Sequence, residues 1–351
     1  MKKGIVNAFA FLMLVSCTSE PLDVLDPQSQ GQGSPVHISF TIEEDIVTDT
    51  RAAIDSYYLT DADARIGIYA LRQKLDPGTG EYRMWNNKEQ KNDNTWMQSN
   101  MQANFINACY KPSVKVTDRH GTFYSYVADS ENGTSEGRFP AGENTALLFY
   151  AYYPYRPNDQ IEDAEGREIL TAKSPKLLNV SAQEQIDYLY SGATIVYSNA
   201  VSAQIKLHHA MARIQIYVRT NPDRSHGGDK TFNRPKLAKV ELFTNNIQEG
   251  SLDIETGNLK SANSGQNNVM WQSDTETLTT EFPDRPQADL LIFPKESGPT
   301  LDALCISIYK TAPESSRRDV IYATELTELW NESLSGYTVE RGKVTKLYIT
   351  Y

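Results

Sequence analysis

The residues that could do chemistry in this 351-residue chain are five histidines, three cysteines, scattered carboxylates and one serine in a suggestive setting. GTSEG at 133–137 has the G-x-S-x-G spacing of a hydrolase nucleophile elbow, which requires a strand–turn–helix corner to lift the hydroxyl above a sheet. It lies in DSENGTSEGRFPAGE, a polar stretch with no helical pattern after it, and reads as a coincidental match. His37, His120, His208, His209 and His226 show no H-E-x-x-H spacing, and no Cys/His set has zinc-ligand spacing. His208 and His209 point to opposite faces of one strand and cannot converge on one ion. His209 shares its face with Leu207 and Met211, as a hydrogen-bonded core residue would. Glu43, Glu44 and Asp45 lack the EF-hand pattern and read as solvated. Asp253 and Glu255 beside Gly257 read as a turn, with calcium binding the weaker alternative. With no nucleophile–base pair, metal set or phosphate-cradling loop, the chain reads as non-enzymatic and without a cofactor.

Aromatic side chains are the other route to recognition. Tyr150, Tyr152, Tyr153 and Tyr155 are dense, but alternation puts Tyr150 and Tyr152 on one face, where they would pack a sheet. Trp85 and Trp96 flank the polar segment NNKEQKNDNT. That connection is longer than a hairpin requires, and long loops often carry function. Trp85 and Trp96 are therefore the candidate ligand contacts, suited to stacking on sugar rings.

The cysteine with the clearest setting is Cys17. Lys2 and Lys3 precede an apolar run from Ile5 to Val15, too short to span a bilayer and shaped like a secretory signal peptide. Leu14, Val15, Ser16 and Cys17 resemble a bacterial lipobox, which implies a signal peptide over residues 1–16 and acylation of Cys17. Two or more acyl chains hold a protein stably to a membrane, at about 0.8 kcal/mol per buried methylene. Residues 17–35 are rich in Pro, Gly, Gln, Ser and acid and read as a flexible tether. Cys109 and Cys305 are far apart in sequence, and the spacing decides neither for nor against a disulfide; two buried free thiols are the simpler reading. The formal charge of −11, with no basic cluster, argues against nucleic acid as a partner.

The elements that would position these residues are strands. VHISFTI at 36–42 alternates Val36, Ile38, Phe40 and Ile42. ARIGIYAL at 64–71, TALLFYAYYPY at 145–155, LAKVELFT at 237–244, ADLLIFP at 288–294, LCISIYK at 304–310, VIYATEL at 320–326 and VTKLYITY at 344–351 follow, separated by turn signals such as DPGTG and NPDRSHGGD. In QIKLHHAMARIQIYV at 204–218 the apolar set changes phase by one residue, which predicts a bulge. Only SAQEQIDYLYSG at 181–192 and ELTELWNE at 325–332 suggest short helices. The reading is an all-β chain of two antiparallel β-sandwich domains in tandem, at 36–200 and 201–351.

The order of these pieces resembles the Bacteroidales fimbrillins, two-domain subunits of lipoprotein-derived (type V) pili. The resemblance runs from the lipobox through Thr50-Arg51-Ala52, RIGIYAL, FYAYYPY, IDYLYSG, LHHAMARIQI, GSLDIETG and LLIFPKE to SGYTVERGKVTKLYITY. It implies transthyretin-like sandwiches and a lipidated precursor that an Arg-specific protease cuts in its N-terminal segment. The first strand then leaves, and a strand from a neighbouring subunit fills the groove. Arg51 fits the cut site, with Arg65 and Arg72 as rivals. The terminal strand, with Val344, Leu347, Ile349 and Tyr351, fits the donor; an ordinary strand paired within its own domain is the alternative. The implied partners are other fimbrial subunits, the outer membrane through Cys17, and host surface glycans or proteins. The implied location is the outer-membrane surface and then the fimbrium, with a role in adhesion. A permanently anchored glycan-binding lipoprotein is the second reading. Stalk, tip and anchor subunits are not distinguished.

Overall fold

The structure, a computed structural model, describes residues 37–42, 59, 62–86, 91–92, 107–118, 121–132, 134, 145–157, 161–163, 176–200, 202–220, 236–260, 267–311, 318–322 and 338–350. Twenty-one strands account for most of them. The first seven are β1 (Ile38–Ile42), β2 (Ile66–Leu75), β3 (Tyr82–Asn86), β4 (Lys91–Asn92), β5 (Ala108–Asp118), β6 (Gly121–Ala128) and β7 (Thr145–Tyr153). Then come β8 (Ile161–Asp163), β9 (Lys176–Ser181), β10 (Leu189–Tyr190), β11 (Thr194–Tyr197), β12 (Ala203–His209), β13 (Ala212–Arg219) and β14 (Lys236–Thr244). The last are β15 (Glu249–Asp253), β16 (Leu259–Lys260), β17 (Asn268–Thr277), β18 (Ala288–Ile292), β19 (Leu301–Thr311), β20 (Arg318–Tyr322) and β21 (Val344–Thr350). Among the described residues the fold is all-β, with only single-turn 3-10 segments beside the strands.

The largest sheet runs β11-β7-β10-β12-β1-β6-β5-β2-β3-β4, and an additional β2–β7 pairing closes seven of these strands into a ring. That closure is extensive: β2 and β7 pair antiparallel from Gly67↔Tyr152 to Lys74↔Thr145. Gly67 makes the approach feasible, since a Cβ there would lie 2.1 Å from the Tyr152 ring. The ring interior holds Ile38, Phe40, Ile42, Ile66, Ile68, Tyr110, Tyr126, Phe149, Ile205 and Leu207. A closed ring, with no exposed edge along its closure, replaces the pair of facing sheets expected of a first sandwich. The sheets are also not purely antiparallel, because β1–β12 and β13–β21 are parallel pairs. Period-two patterning places side chains inside or outside and carries no signal of whether an edge finds a second neighbour.

Strand β7 serves two cores. Leu147, Phe149 and Ala151 fill the ring, whereas Leu148, Tyr150 and Tyr152 join a second buried cluster with Ile214, Ile216, Val218, Leu290, Leu347 and Ile349. A strand buried on both faces reads as a near-continuous apolar run, and β7 does from Ala146 onward. The second cluster also takes side chains from the sheets β18-β13-β21, β17-β14-β19-β20 and β16-β15-β9-β8. In the last of these β9 pairs with β15, so residues 177–181 lie beside 249–253.

The phase change in 204–218 is a corner and not a bulge. β12 shows strict inside–outside alternation and ends at His209; after Ala210 and Met211 the chain enters β13, in a different sheet and buried on nearly every residue. The helix expected at 181–192 is also absent. Ser181 caps one 3-10 turn over Ala182–Glu184, and Gln185 at φ 51° and ψ 39° stops it. The Gln185 amide exchanges hydrogen bonds with the Leu291 backbone, at 2.9 and 3.1 Å, so tertiary bonding takes what a helix would have used. The segment 325–332 lies outside the described residues. Cys109 in β5 and Cys305 in β19 are both free thiols, Cys109 buried and Cys305 half-buried.

Candidate strand-exchange site

The ring is closed in part by its N-terminal strand. β1 lies between β12 and β6. Its register with β12 is parallel over its whole length, from Ile38↔Ala203 to Ile42↔Leu207, and the Ala203 N–H donates to the His37 carbonyl at 2.7 Å. Its pairing with β6 covers only Ile38↔Tyr126 and Ser39↔Ser125. β1 is therefore held along one edge and barely along the other.

What retains it is burial. Alternation sends Ile38, Phe40 and Ile42 into the ring, each no more than 2% exposed. The Phe40 ring meets Tyr126 edge-on, with centroids 4.8 Å apart at 89°, and the Tyr126 hydroxyl donates to the Leu59 carbonyl at 3.4 Å. Burying three such side chains is worth on the order of 5–9 kcal/mol, an upper figure because unfolded chains already bury some surface. β1 thus acts as a plug, rich in side-chain burial and poor in backbone pairing on its β6 side.

The wall on that side is pinned independently of β1. Asp129, just past β6, is fully buried and accepts from Arg65 Nε at 2.9 Å and from Asn132 Nδ2 at 2.9 Å. Lys111 Nζ on β5 lies 3.0 Å from its other oxygen. Burial raises the Asp129 carboxyl, but the bonds from Lys111, Asn132 and the Glu131 N–H outweigh it and hold the group below the usual carboxylate range. Burial, then the Asp129 charge, push the neighbouring Cys109 thiol up to about 12, so it is a protonated filler and not a nucleophile. The cluster ties β2, β5 and the end of β6 together.

The other candidate residues fall as follows. Cys17, Arg51, Trp96 and Tyr351 lie outside the described residues. Trp85 is in β3, next to last in the ten-stranded order. Val344, Leu347 and Ile349 lie in β21, which pairs parallel with β13 over seven residues at the edge of its sheet. Leu347 and Ile349 are 8% exposed and belong to the second core, so in this chain the terminal strand is paired at home. Tyr150 and Tyr152 pack the second core, and Tyr152 donates to Asn107 Oδ1 at 2.6 Å. His209 is buried with Nδ1 2.9 Å from Asp187, while His208 sits against Tyr190 on the opposite face. Asp253 Oδ1 accepts from the Glu255 and Thr256 N–H groups and Oδ2 meets Lys260 at 2.8 Å, an Asx turn whose carboxylate is already engaged. No group of three or more metal-ligating side chains occurs among the described residues. No helix among them is long and apolar enough to cross a membrane. The plug itself was visible in the sequence as the VHISFTI alternation; that it completes a ring was not.

Among solved structures, the chain is similar to a candidate cell adhesion protein of Bacteroides ovatus, at 17% identity and TM-score 0.48, over 91% of this chain and 92% of that one. It is similar to another from Bacteroides uniformis at 15% identity and TM-score 0.47, over 92% and 94%. No curated protein matches. A fimbrillin-like family model matches residues 50–312. That span, well over half of the sequence, settles the relationship: the chain belongs to the fimbrillin-like family.

Proposed function

We propose that this protein is a structural, non-enzymatic subunit of a cell-surface fimbria with a role in adhesion. In this reading it is a precursor lipidated at Cys17 and held at the outer membrane. Cleavage after Arg51 frees β1, and a strand from a neighbouring subunit replaces it. The carrying observation is the plug: a short apolar strand upstream of Arg51, deeply buried yet joined to β6 by two residue pairs. Its loss leaves an apolar slot between two strand edges, which β-augmentation fills. Family membership supports the fimbrial role. The rival basic sites are held in the fold, which favours Arg51. Arg65 is bonded to Asp129 and to the Asp63 and Ala64 carbonyls, and Arg72 pairs with Leu147 inside the ring sheet.

The candidate donor is the terminal strand. Leu347, Ile349 and Tyr351 repeat the spacing of Ile38, Phe40 and Ile42. Donation requires β21 to leave β13, so its edge position matters. A division into tandem units, 36–200 and 201–351, belongs to this reading; the two buried clusters support two cores, with β12 crossing into the ring and β9 pairing with β15 across that boundary.

The test is the N-terminal residue of protein recovered from cell-surface filaments, together with Arg-specific proteolysis of the purified precursor. Ala52 at the N-terminus and oligomers after the cut are expected, and Arg51→Ala should block both. A stable monomer after cleavage, or acylated Cys17 retained in the assembled protein, would refute strand exchange and leave a permanently anchored lipoprotein.

A further inference from the structure

The face of β21 turned away from the core carries an aromatic and cationic arrangement beside an exposed tyrosine. Tyr348 is directly opposite Tyr217 in the β13–β21 register, and their rings stack with centroids 4.7 Å apart at 16°. Tyr217 is buried, and its hydroxyl donates to Gln215 Oε1 at 3.3 Å, whereas Tyr348 remains 57% exposed. Phe282 meets Tyr348 edge-on at 5.1 Å and 79°. The Arg219 guanidinium carbon lies 4.4 Å from the Phe282 ring centre, and its Nε donates to Thr350 Oγ1 at 3.0 Å.

Arg219 is thus fixed on two sides, by a ring below and a hydroxyl at Nε. Among the described residues it has no carboxylate partner, in a chain of net charge −11. Glu281 and Asp284, close to Phe282 in sequence, are not among the partners of Arg219, which are Thr350 and the Phe282 ring. An oriented guanidinium with its terminal nitrogens available presents a fork for a carboxylate. One aromatic ring away stands an exposed tyrosine whose orientation is set by its stack on a buried one. A pyranose bearing a carboxylate matches both: its C–H face lies on Tyr348 and its acid group meets Arg219.

We propose that Tyr348, Phe282 and Arg219 form a binding site for an acidic glycan, one whose terminal or repeating sugar carries a carboxylate. A flat aromatic surface beside one fixed cation suits a sugar acid better than a neutral sugar, which would leave the guanidinium unused. The site is distinct from Trp85 and Trp96. Donation of β21 to a neighbour would part Tyr348 and Thr350 from Tyr217 and Arg219, so binding is measured on the uncut chain, where β21 is paired with β13, and its outcome does not depend on whether exchange occurs.

The experiment is calorimetric titration of the mature, uncut chain with sialyllactose and with trigalacturonate, each compared with its uncharged counterpart, lactose or galactotriose. At least one acid sugar should bind, its neutral counterpart at least about tenfold more weakly, consistent with the loss of charge-assisted hydrogen bonds. Arg219→Gln should weaken the acid sugar by a similar factor, Tyr348→Ala should abolish binding, and Tyr348→Phe should retain it. Which acid binds distinguishes a sialyl from a uronyl ligand. Absence of binding by both acids, equal binding of a neutral sugar, or unchanged affinity in Arg219→Gln and Tyr348→Ala would each overturn the site.

Discussion

Phe40→Ala tests the plug directly. The side chain is 1% exposed and sits in the ring against Tyr126. Truncating a buried phenylalanine costs about 3–5 kcal/mol, the transfer term plus the cavity left behind, and about 0.5–1.5 kcal/mol of that is the edge-on aromatic pair. Ser39, on the same strand but half-buried and pointing outward, provides the control, since Ser39→Ala should change stability by no more than about 0.5 kcal/mol. Urea unfolding followed by tyrosine fluorescence measures both. Because β1 pairs with β6 through two residues only, the loss should appear first as local release of β1, with backbone amides of Ile38–Ile42 exchanging faster than those of β13. A synthetic peptide of residues 36–43 added in excess should occupy the slot that β1 vacates and so raise amide exchange of Ile38–Ile42 further in the variant. If Phe40→Ala loses less than about 1 kcal/mol, or if β1 and β13 amides lose protection together, β1 is not a separable plug and the exchange reading fails.

Four further outcomes are expected. Gly67→Ala should strongly lower the melting temperature, because its methyl would meet the Tyr152 ring at 2.1 Å where β2 and β7 close the ring; a melting temperature within a degree or two of the parent, on the order of the measurement error, would contradict that packing. Asp129→Asn should destabilise the protein at pH 7. Because the folded carboxyl lies below its unfolded value of about 3.9, the stability it confers is present above that pH and is lost as pH falls through the folded value, so parent and variant should converge in acid melts. Cys109, buried and pushed up to about 12, should resist iodoacetamide at pH 8 until the chain is unfolded, read by mass spectrometry of its tryptic peptide. Removing residues 344–351 should destabilise the second core as well as any oligomer, because Leu347 and Ile349 are buried in it; an unchanged urea midpoint would show β21 to be dispensable at home.

Local patterning carried a large part of this structure. VHISFTI and VTKLYIT became strands with the inward faces their alternation indicates, and TALLFYAYY became a strand buried on both faces, because β-branched and aromatic side chains fit a pleated surface. His209 became a buried, hydrogen-bonded residue as its neighbours suggested. The misses are tertiary. Ring closure depends on β2 having partners on both edges; parallel pairing of β1 with β12 depends on chain routing; neither leaves a trace in a window of ten residues. The helix expected at 181–192 was lost to Gln185, whose amide serves a strand 106 residues away. Alternation marks Leu347 and Ile349 as the buried side of their strand, and a lone outward tyrosine at 348 gives no sign that Tyr217 and Phe282 gather around it.

The two parallel pairs also dictate when the molecule can finish folding. β1 must wait for β12, and β13 must wait for β21, whose Thr350 meets Arg219 across 131 residues of chain. Each core is therefore completed by a contact of very high sequence separation. Such topologies fold slowly, since a long loop must close before the closing contacts compensate for it. The two cores therefore close in order: the ring, whose interior is complete by Leu207, can lock while the second core still waits for Leu347 and Ile349.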